Sequence, residues 1–280
     1  MRIGFVLQDP KRAPSGLDSY TRNLWSALQS VTSGHDLVPV TLPGRFAAHA
    51  YSRLLWEQCY LPFWARRARI DLLHMPAGSA PVFDGRRCVL TLHDLGDGPA
   101  SRYRSALGRR CYFGYALPHS ARFAAEVITD SEATKRDAVE RLGVPAERIT
   151  VVPLAPASFF CRAPDDAVEA VRRKYGLAAS YFLQVGASVP RKNLAGALAG
   201  FARFLARHPE LQIQFAVTGA GPPSVEALPA ETAELLRGGR TRFLGHVPSE
   251  DLAALYGGAL AVVVPSFYEG CGLPVLEAFA

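Results

Sequence analysis

Two carboxylates, Glu269 and Glu277, stand eight positions apart in the segment Pro265-Ser266-Phe267-Tyr268-Glu269-Gly270-Cys271-Gly272-Leu273-Pro274-Val275-Leu276-Glu277. Gly270 and Gly272 let a ligand approach the backbone closely, because a residue without Cβ offers no obstruction. Leu273 and Pro274 open a helix, proline being favoured in the first turn. The free N–H groups and partial positive charge of such a start suit a phosphate. Glu269 then lies in a loop and Glu277 on the helix, each able to bind hydroxyls. On residue types alone, a surface loop with two solvated glutamates is the competing reading.

A second group of chemistry-bearing residues is cationic. Arg191 and Lys192, in Val185-Gly186-Ala187-Ser188-Val189-Pro190-Arg191-Lys192-Asn193-Leu194, fall at the start of a helix, where positive charge opposes the helix dipole. A bound anion resolves that conflict. In the N-terminal half, Gly16 shapes the loop Pro14-Ser15-Gly16-Leu17-Asp18-Ser19-Tyr20, and His93 ends a buried strand in Thr91-Leu92-His93-Asp94-Leu95. His93 is open to two readings, a hydrogen-bonded core residue or a site residue. Asp130 and Ser131, in Ile128-Thr129-Asp130-Ser131-Glu132, read as caps of the helix that follows.

The elements that must hold these residues alternate. Strands are expected at 2–8, 35–41, 72–74, 88–93, 127–129 and 149–152, with helices from Tyr20 (Asp18 or Ser19 as N-cap), over 51–69, up to about 126, and over 135–142. Strands alternating with helices imply a parallel α/β sheet. The pattern breaks at 153–163 and resumes with strands at 181–185, 212–217, 242–244 and 261–264. Helices are expected at 165–175, 194–207, 249–257 and from Leu273 to the last residue. This division predicts an N-terminal Rossmann-like domain over 1–155, an interdomain connection over 156–176 and a second Rossmann-like domain over 177–280. A complete doubly wound half carries more strands, so the second domain is expected to be incomplete.

Bulk composition bounds the alternatives. The 280 residues are 49% hydrophobic and 20% charged, which suits a soluble globular chain of two domains. No leader segment or membrane span is legible, and a cytoplasmic location is expected. Five scattered cysteines without a C-x-x-C imply reduced thiols rather than disulfides or zinc. The net charge of +6 favours an anionic partner.

Taken together with Thr218-Gly219-Ala220-Gly221-Pro222 and Leu244-Gly245-His246-Val247-Pro248, the segments above resemble those of family 4 retaining glycosyltransferases, in the same order over nearly the whole chain. The resemblance implies the GT-B fold, two Rossmann-like domains facing each other, with a sugar nucleotide bound mainly by the C-terminal domain. It implies that Glu277 binds the nucleotide ribose, Glu269 the transferred sugar, and Lys192 with Arg191 the donor diphosphate. Gly270, Gly272 and Leu273 would border the donor, Val247 the base. Gly16 would let the first helix approach the diphosphate, and His93 would lie beside the sugar near the bond being broken. Two departures stand out: Ala187-Ser188 replace a basic residue common in the family, and the first loop has one glycine where many members have two.

The same resemblance implies a hexosyltransferase that needs no metal or cofactor and uses GDP-mannose or a UDP- or dTDP-hexose as co-substrate. The acceptor would be a saccharide or a polyprenyl- or lipid-linked saccharide in cell-surface polysaccharide or glycoconjugate synthesis. Arginines 102, 104, 109, 110 and 122, interleaved with Tyr103, Leu107, Tyr112, Phe113, Tyr115 and Phe123, offer a surface for peripheral docking on the inner face of an anionic membrane. An amphipathic helix pair with its apolar side in the core is the competing reading. No nucleic-acid reader motif is present. The rival functions are a non-catalytic nucleotide-sugar-binding fragment, another GT-B enzyme (phosphorylase or epimerase), and a Rossmann dehydrogenase, which the lack of G-x-G-x-x-G disfavours.

Overall fold

Short apolar strands separated by helices build two units, Met1–Leu154 and Ala155–Ala280. The computed structural model describes residues 1–7, 16–31, 34–43, 46, 50–76, 79–82, 84, 87–95, 111–187, 189–219, 221–222 and 230–280.

In the first unit, six parallel strands lie in the order β2-β1-β3-β4-β5-β6. They are β1 Arg2–Leu7, β2 Asp36–Thr41, β3 Leu72–Met75, β4 Cys88–Leu92, β5 Glu126–Thr129 and β6 Ile149–Val151. Parallel pairing needs helical crossovers that cover the sheet, so the strands read as near-continuous apolar runs. Phe5, Leu73, Met75, Leu90 and Val127 are accordingly buried. Helix α1 spans Gly16–Val31, so Asp18 falls within its first turn, where a carboxylate favours the dipole.

The helix expected over 51–69 forms as α2 (Ala50–Leu55), a π turn (Trp56–Tyr60) and α3 (Leu61–Arg67). A second π turn, Tyr112–Ala116, runs into α4, Leu117–Phe123. In each, a leucine amide donates to the carbonyl five residues back, Leu61 to Trp56 and Leu117 to Tyr112. Each leucine precedes a proline, which has no N–H and whose ring crowds the carbonyl four residues back, favouring the widened turn. Helix α5, Glu132–Leu142, follows, with Ser131 as N-cap accepting from the Thr134 amide at 3.1 Å and Gly143 closing it in the left-handed region.

The second unit has the strands β7 Ser180–Gln184, β8 Ile213–Thr218, β9 Thr241–Gly245 and β10 Ala261–Val262, parallel in the order β10-β7-β8-β9. Its helices are α6 Asp165–Tyr175, α7 Leu194–Arg207, α8 Ala230–Arg237, α9 Ser249–Gly258 and α10 Leu273–Phe279. Alternate side chains serve opposite faces: Tyr181, Leu183 and Ala216 pack with Val171, Ala254 and Leu255. Ile213, Phe215 and Val217 pack with Leu198, Phe201 and Leu235. Thus α6 and α9 cover one face, α7 and α8 the other.

Two expectations need correction. The stretch 156–176 is not a free connection. Phe160 and Val171 are buried in the second unit's core, and the Tyr175 hydroxyl donates to Asp251 of α9 at 2.7 Å. Helix α8 was not expected, because the sequence before it carries no clear start signal.

Candidate functional site

The second unit's chain order makes β7 and β10 the strands between which connections diverge: α7 leads from β7 to β8 on one face, and α9 returns on the other to β10. Open α/β sheets bind ligands at such switch points, outside the carboxyl ends of the strands. Both chemistry-bearing segments of this unit follow these two strands.

The floor beside them is built from glycines. Gly186, Gly219 and Gly245 follow or end β7, β8 and β9, all with left-handed backbone. The Gly186 and Ala187 amides donate to the Thr218 hydroxyl and carbonyl at 3.2 and 3.0 Å, and the Gly219 amide donates to the Gly245 carbonyl at 2.6 Å. A Cβ on Gly219 would lie 3.2 Å from the Gly186 Cα, besides the strain of its φ of +78°.

Arg191 and Lys192 sit in a 3₁₀ turn, Pro190–Lys192, that Asn193 converts into α7 from the left-handed region, its side chain accepting from the Gly196 amide at 3.1 Å. Asn193 Nδ2 also donates to the Pro265 carbonyl, the Phe267 amide to the Arg191 carbonyl, and Gln184 Nε2 to the Lys192 carbonyl. These bonds stitch the loop after β7 to the loop after β10. Lys192 Nζ then lies 2.6 Å from Glu269 Oε1, Arg191 Nη1 lies 2.9 Å from Glu269 Oε2, and the Ser266 hydroxyl donates to Oε1 at 2.6 Å. Burial pushes the Glu269 carboxyl up, but the bonds from Lys192, Ser266 and Arg191 together outweigh it and hold the group below its usual range.

Glu277 has a different environment. Burial raises its carboxyl above the usual range, and the Tyr256 hydrogen bond and the Lys192 charge offset only part of that. Tyr256, itself buried, donates to Glu277 Oε2 at 2.6 Å. The two carboxylates are thus tuned in opposite directions around one ammonium.

At the C-terminal edge of the first unit's sheet, His93 follows β4. Its Nδ1 lies 2.6 Å from Asp130 Oδ2 and its Nε2 lies 2.8 Å from the Pro76 carbonyl. A carbonyl only accepts, so Nε2 is the nitrogen that donates to it, and Nδ1 faces the Asp130 carboxylate. Asp130 therefore orients His93 and does not cap α5, a role left to Ser131. The Tyr20 ring packs edge-on against the imidazole at 4.4 Å between centroids. His74, beside it in the sheet, is held down to about 4 by burial and pairs with the Thr91 hydroxyl at 3.2 Å.

The sequence-chosen residues thus fall into groups. Arg191, Lys192 and Glu269 form one cluster, with Glu277 within reach of the Lys192 charge. Gly270 and Gly272 lie in the loop between the carboxylates, and Gly272 takes φ +72° to start α10 at Leu273. Val247 is buried in the second unit's core. Gly16 begins α1. Ser266, Asn193, Gln184 and Tyr256 were missed; Asn193 and Tyr256 find their partners in remote segments, whereas Ser266 and Gln184 bond residues three and eight positions on.

The basic, aromatic stretch divides. Residues 101–110, with four of its arginines, lie outside the described residues. Tyr112 is buried, Phe113 packs against the core, and the Arg122 guanidinium donates to the Leu142 carbonyl at 2.6 Å. Tyr115 and Phe123 remain exposed, with His119 between them. No helix among the described residues is long and apolar enough to cross a membrane. The cysteines are free thiols.

Known proteins resemble this chain in sequence and fold. The model for glycosyl transferases group 1 matches residues 169–280, and that for Glycosyltransferase Family 4 matches residues 14–155. O-antigen chain mannosyltransferase B of Escherichia coli is 33% identical over 219 residues, covering 78% of this chain and 57% of that protein. D-inositol 3-phosphate glycosyltransferase of Corynebacterium kroppenstedtii is 32% identical over 164 residues, covering 56% of this chain and 36% of that protein. This chain therefore spans about a third to three-fifths of these relatives' length. Among solved structures, WaaG, a glycosyltransferase involved in lipopolysaccharide biosynthesis, superposes with a TM-score of 0.68 at 15% identity, covering 99% of this chain and 78% of that one. Sucrose-phosphate synthase from Thermosynechococcus elongatus gives 0.67 at 18% identity over the same shares. These likenesses establish the GT-B fold, and with the match of its N-terminal half the chain belongs to glycosyltransferase family 4.

Proposed function

We propose that the chain carries the donor-binding and acceptor-side halves of a retaining hexosyltransferase that draws on a sugar nucleotide. The observation that carries this reading is the cluster Arg191, Lys192 and Glu269, closed within 2.9 Å at the switch point of the second sheet. In the reaction the bond between the sugar carbon and the donor phosphate oxygen breaks, its electron pair leaving with the phosphate. A bond forms from the acceptor oxygen to the same face of that carbon, and the acceptor proton passes to the departing phosphate. Fixed cations beside the leaving group stabilise the charge that develops there. Arg191 and Lys192 supply that charge without a metal, while Glu269 accepts from sugar hydroxyls and Glu277 from the ribose.

Mannose is the first candidate sugar, since several relatives are mannosyltransferases; structures of a similar fold hold UDP and UDP-glucose. The O-antigen names of relatives support a saccharide acceptor, free or lipid-linked. The exposed Tyr115 and Phe123 support peripheral contact with an anionic membrane, to be read from vesicle co-sedimentation of the Tyr115→Ser, Phe123→Ser double variant.

The deciding experiment is a thermal-shift panel of GDP-mannose, UDP-glucose and dTDP-glucose, followed by transfer to a saccharide acceptor with the anomeric configuration read by NMR. A selective shift and a retained product are expected. Inverted product, or transfer only in the presence of a divalent ion, would overturn the reading.

A further inference from the structure

Single exposed apolar side chains are ordinary on a protein surface, but a contiguous group of them marks a contact site. Leu55, Tyr60 and Phe63 are 58%, 46% and 66% exposed, all within the run of α2, the first π turn and α3. With Phe46, Trp56 and Cys59 they line a cavity of about 380 Å³ in the first unit, a volume usual for small-molecule sites. Positions 56, 59, 60 and 63 recur at three- and four-residue spacing, which keeps their side chains on one side of the segment. The Phe46 ring lies over Tyr60 with centroids 6.4 Å apart.

The wall of this cavity is fixed from behind. Glu57, buried in the π turn, is held by Arg53 at 2.7 Å and accepts from the Ser79 hydroxyl at 2.7 Å. The Gln58 amide group bonds the Ala80 carbonyl and the Val82 amide at 3.0 and 2.8 Å. The turn is thereby tied down on its inner side, and Cys59, Tyr60 and Phe63 are left exposed on the outer one.

The chemistry of the lining selects an occupant. An extended peptide brings N–H and C=O groups that need partners. The lining side chains offer only the Cys59 thiol, the Tyr60 hydroxyl and the Trp56 indole, whose nitrogen is itself buried. A hydrocarbon chain has no such groups to satisfy and gains by leaving water. Cations then follow at one end. Arg66 and Arg67 stand three and four positions beyond Phe63 on α3, so they lie one turn along on its face, and both are exposed. Arg66 pairs with Asp84 at 3.4 Å, whereas Arg67 has no acidic partner among the described residues. An apolar slot that ends in a guanidinium complements a chain that ends in a phosphate.

We propose that this cavity binds the hydrocarbon chain of a single-chain lipid phosphate, with Arg67 at the phosphate. Its use as the seat for the lipid of a lipid-linked acceptor rests on the function proposed above; the binding itself does not.

Cys59 lines the cavity and is exposed, so its thiol reports occupancy, and the exposed Cys161 of the second unit serves as control. Maleimide modification of the full chain is followed at each cysteine by mass spectrometry, with farnesyl phosphate kept below its aggregation concentration. Ligand at about ten times its Kd should slow modification of Cys59 about tenfold and leave Cys161 unchanged. Arg67→Gln should raise the half-protecting concentration about fivefold, the value of one cation beside an anionic lipid. Phe63→Ser, at an exposed position, should weaken protection while keeping the wild-type melting temperature. Unslowed modification of Cys59, or equal slowing at Cys161, would overturn the proposal. So would equal protection by farnesol, which lacks the phosphate, or by phosphatidylglycerol vesicles, which would make the face a general membrane contact. Protection that grows with protein concentration alone would assign the face to a second copy of the chain instead. Absence of transfer by the wild-type chain would count against the proposed function only, because the protection assay needs no turnover.

Discussion

Lys192 Nζ lies 2.6 Å from Glu269 Oε1, although 77 residues separate them in the chain. The Lys192 side chain is only 11% exposed, so a phosphate bound there as proposed would meet a cation already largely stripped of water and paired with a carboxylate. Replacing Lys192 by Ala should weaken sugar-nucleotide binding about 10- to 100-fold, the value of one charge-assisted hydrogen bond. Calorimetric titration of both proteins checks this; equal affinities would remove Lys192 from the donor site.

Glu269 has its folded-state pKa lowered, so its contribution to stability is present above its ordinary value of 4.5 and is lost as pH falls through the lower folded value. Glu269→Gln should therefore melt below wild type near neutral pH, and the two melting curves should converge in acid. Convergence on the alkaline side instead would contradict the sign.

Glu277 behaves oppositely. Its raised folded-state pKa means that it takes up a proton above its ordinary 4.5 as pH falls. Its contribution to stability is present in acid and lost as pH rises through that folded value. If the ionised carboxylate accepts the ribose hydroxyls, donor affinity should decline in mildly acidic buffer. Tyr256→Phe removes a hydrogen bond that lowers the pKa and should move the decline to higher pH. Affinity measured across pH 4–7 reads both effects.

Two glycine substitutions should act in opposite directions. Gly219→Ala places a Cβ 3.2 Å from Gly186 at φ +78°, which should cost about 1–3 kcal/mol in strain alone. Gly200→Ala, in the exposed middle of α7 with nothing within 4 Å, should stabilise by about 0.5–1 kcal/mol. Urea denaturation of both variants measures the difference.

Strand and helix periodicity made the two parallel sheets legible to within a residue or two at most element ends, because buried strands and amphipathic helices leave local signals. The cluster of Arg191, Lys192 and Glu269 could be named because two cations at a helix start violate a local rule, and such conflicts cluster at functional sites. The opposite tuning of Glu269 and Glu277 was not legible. It depends on Ser266 and Tyr256, whose hydroxyls have no sequence signature until the fold brings them to a carboxylate. Asp130 was misassigned for a related reason: Asp-Ser before a helix satisfies two capping rules at once, and only the position of His93 decides between them.

Strand β10 is two residues long, and the loop that follows it owes much of its placement to Arg191, Lys192 and Asn193 rather than to the sheet. If the donor diphosphate binds Arg191 and Lys192 as proposed, loop order and occupancy are coupled through the same cations, and by reciprocity donor binding alters the opening free energy of residues 265–272. The Phe267 amide, bonded to the Arg191 carbonyl at 2.9 Å, would then be a built-in reporter, its deuterium uptake expected to change as the proposed donor site fills.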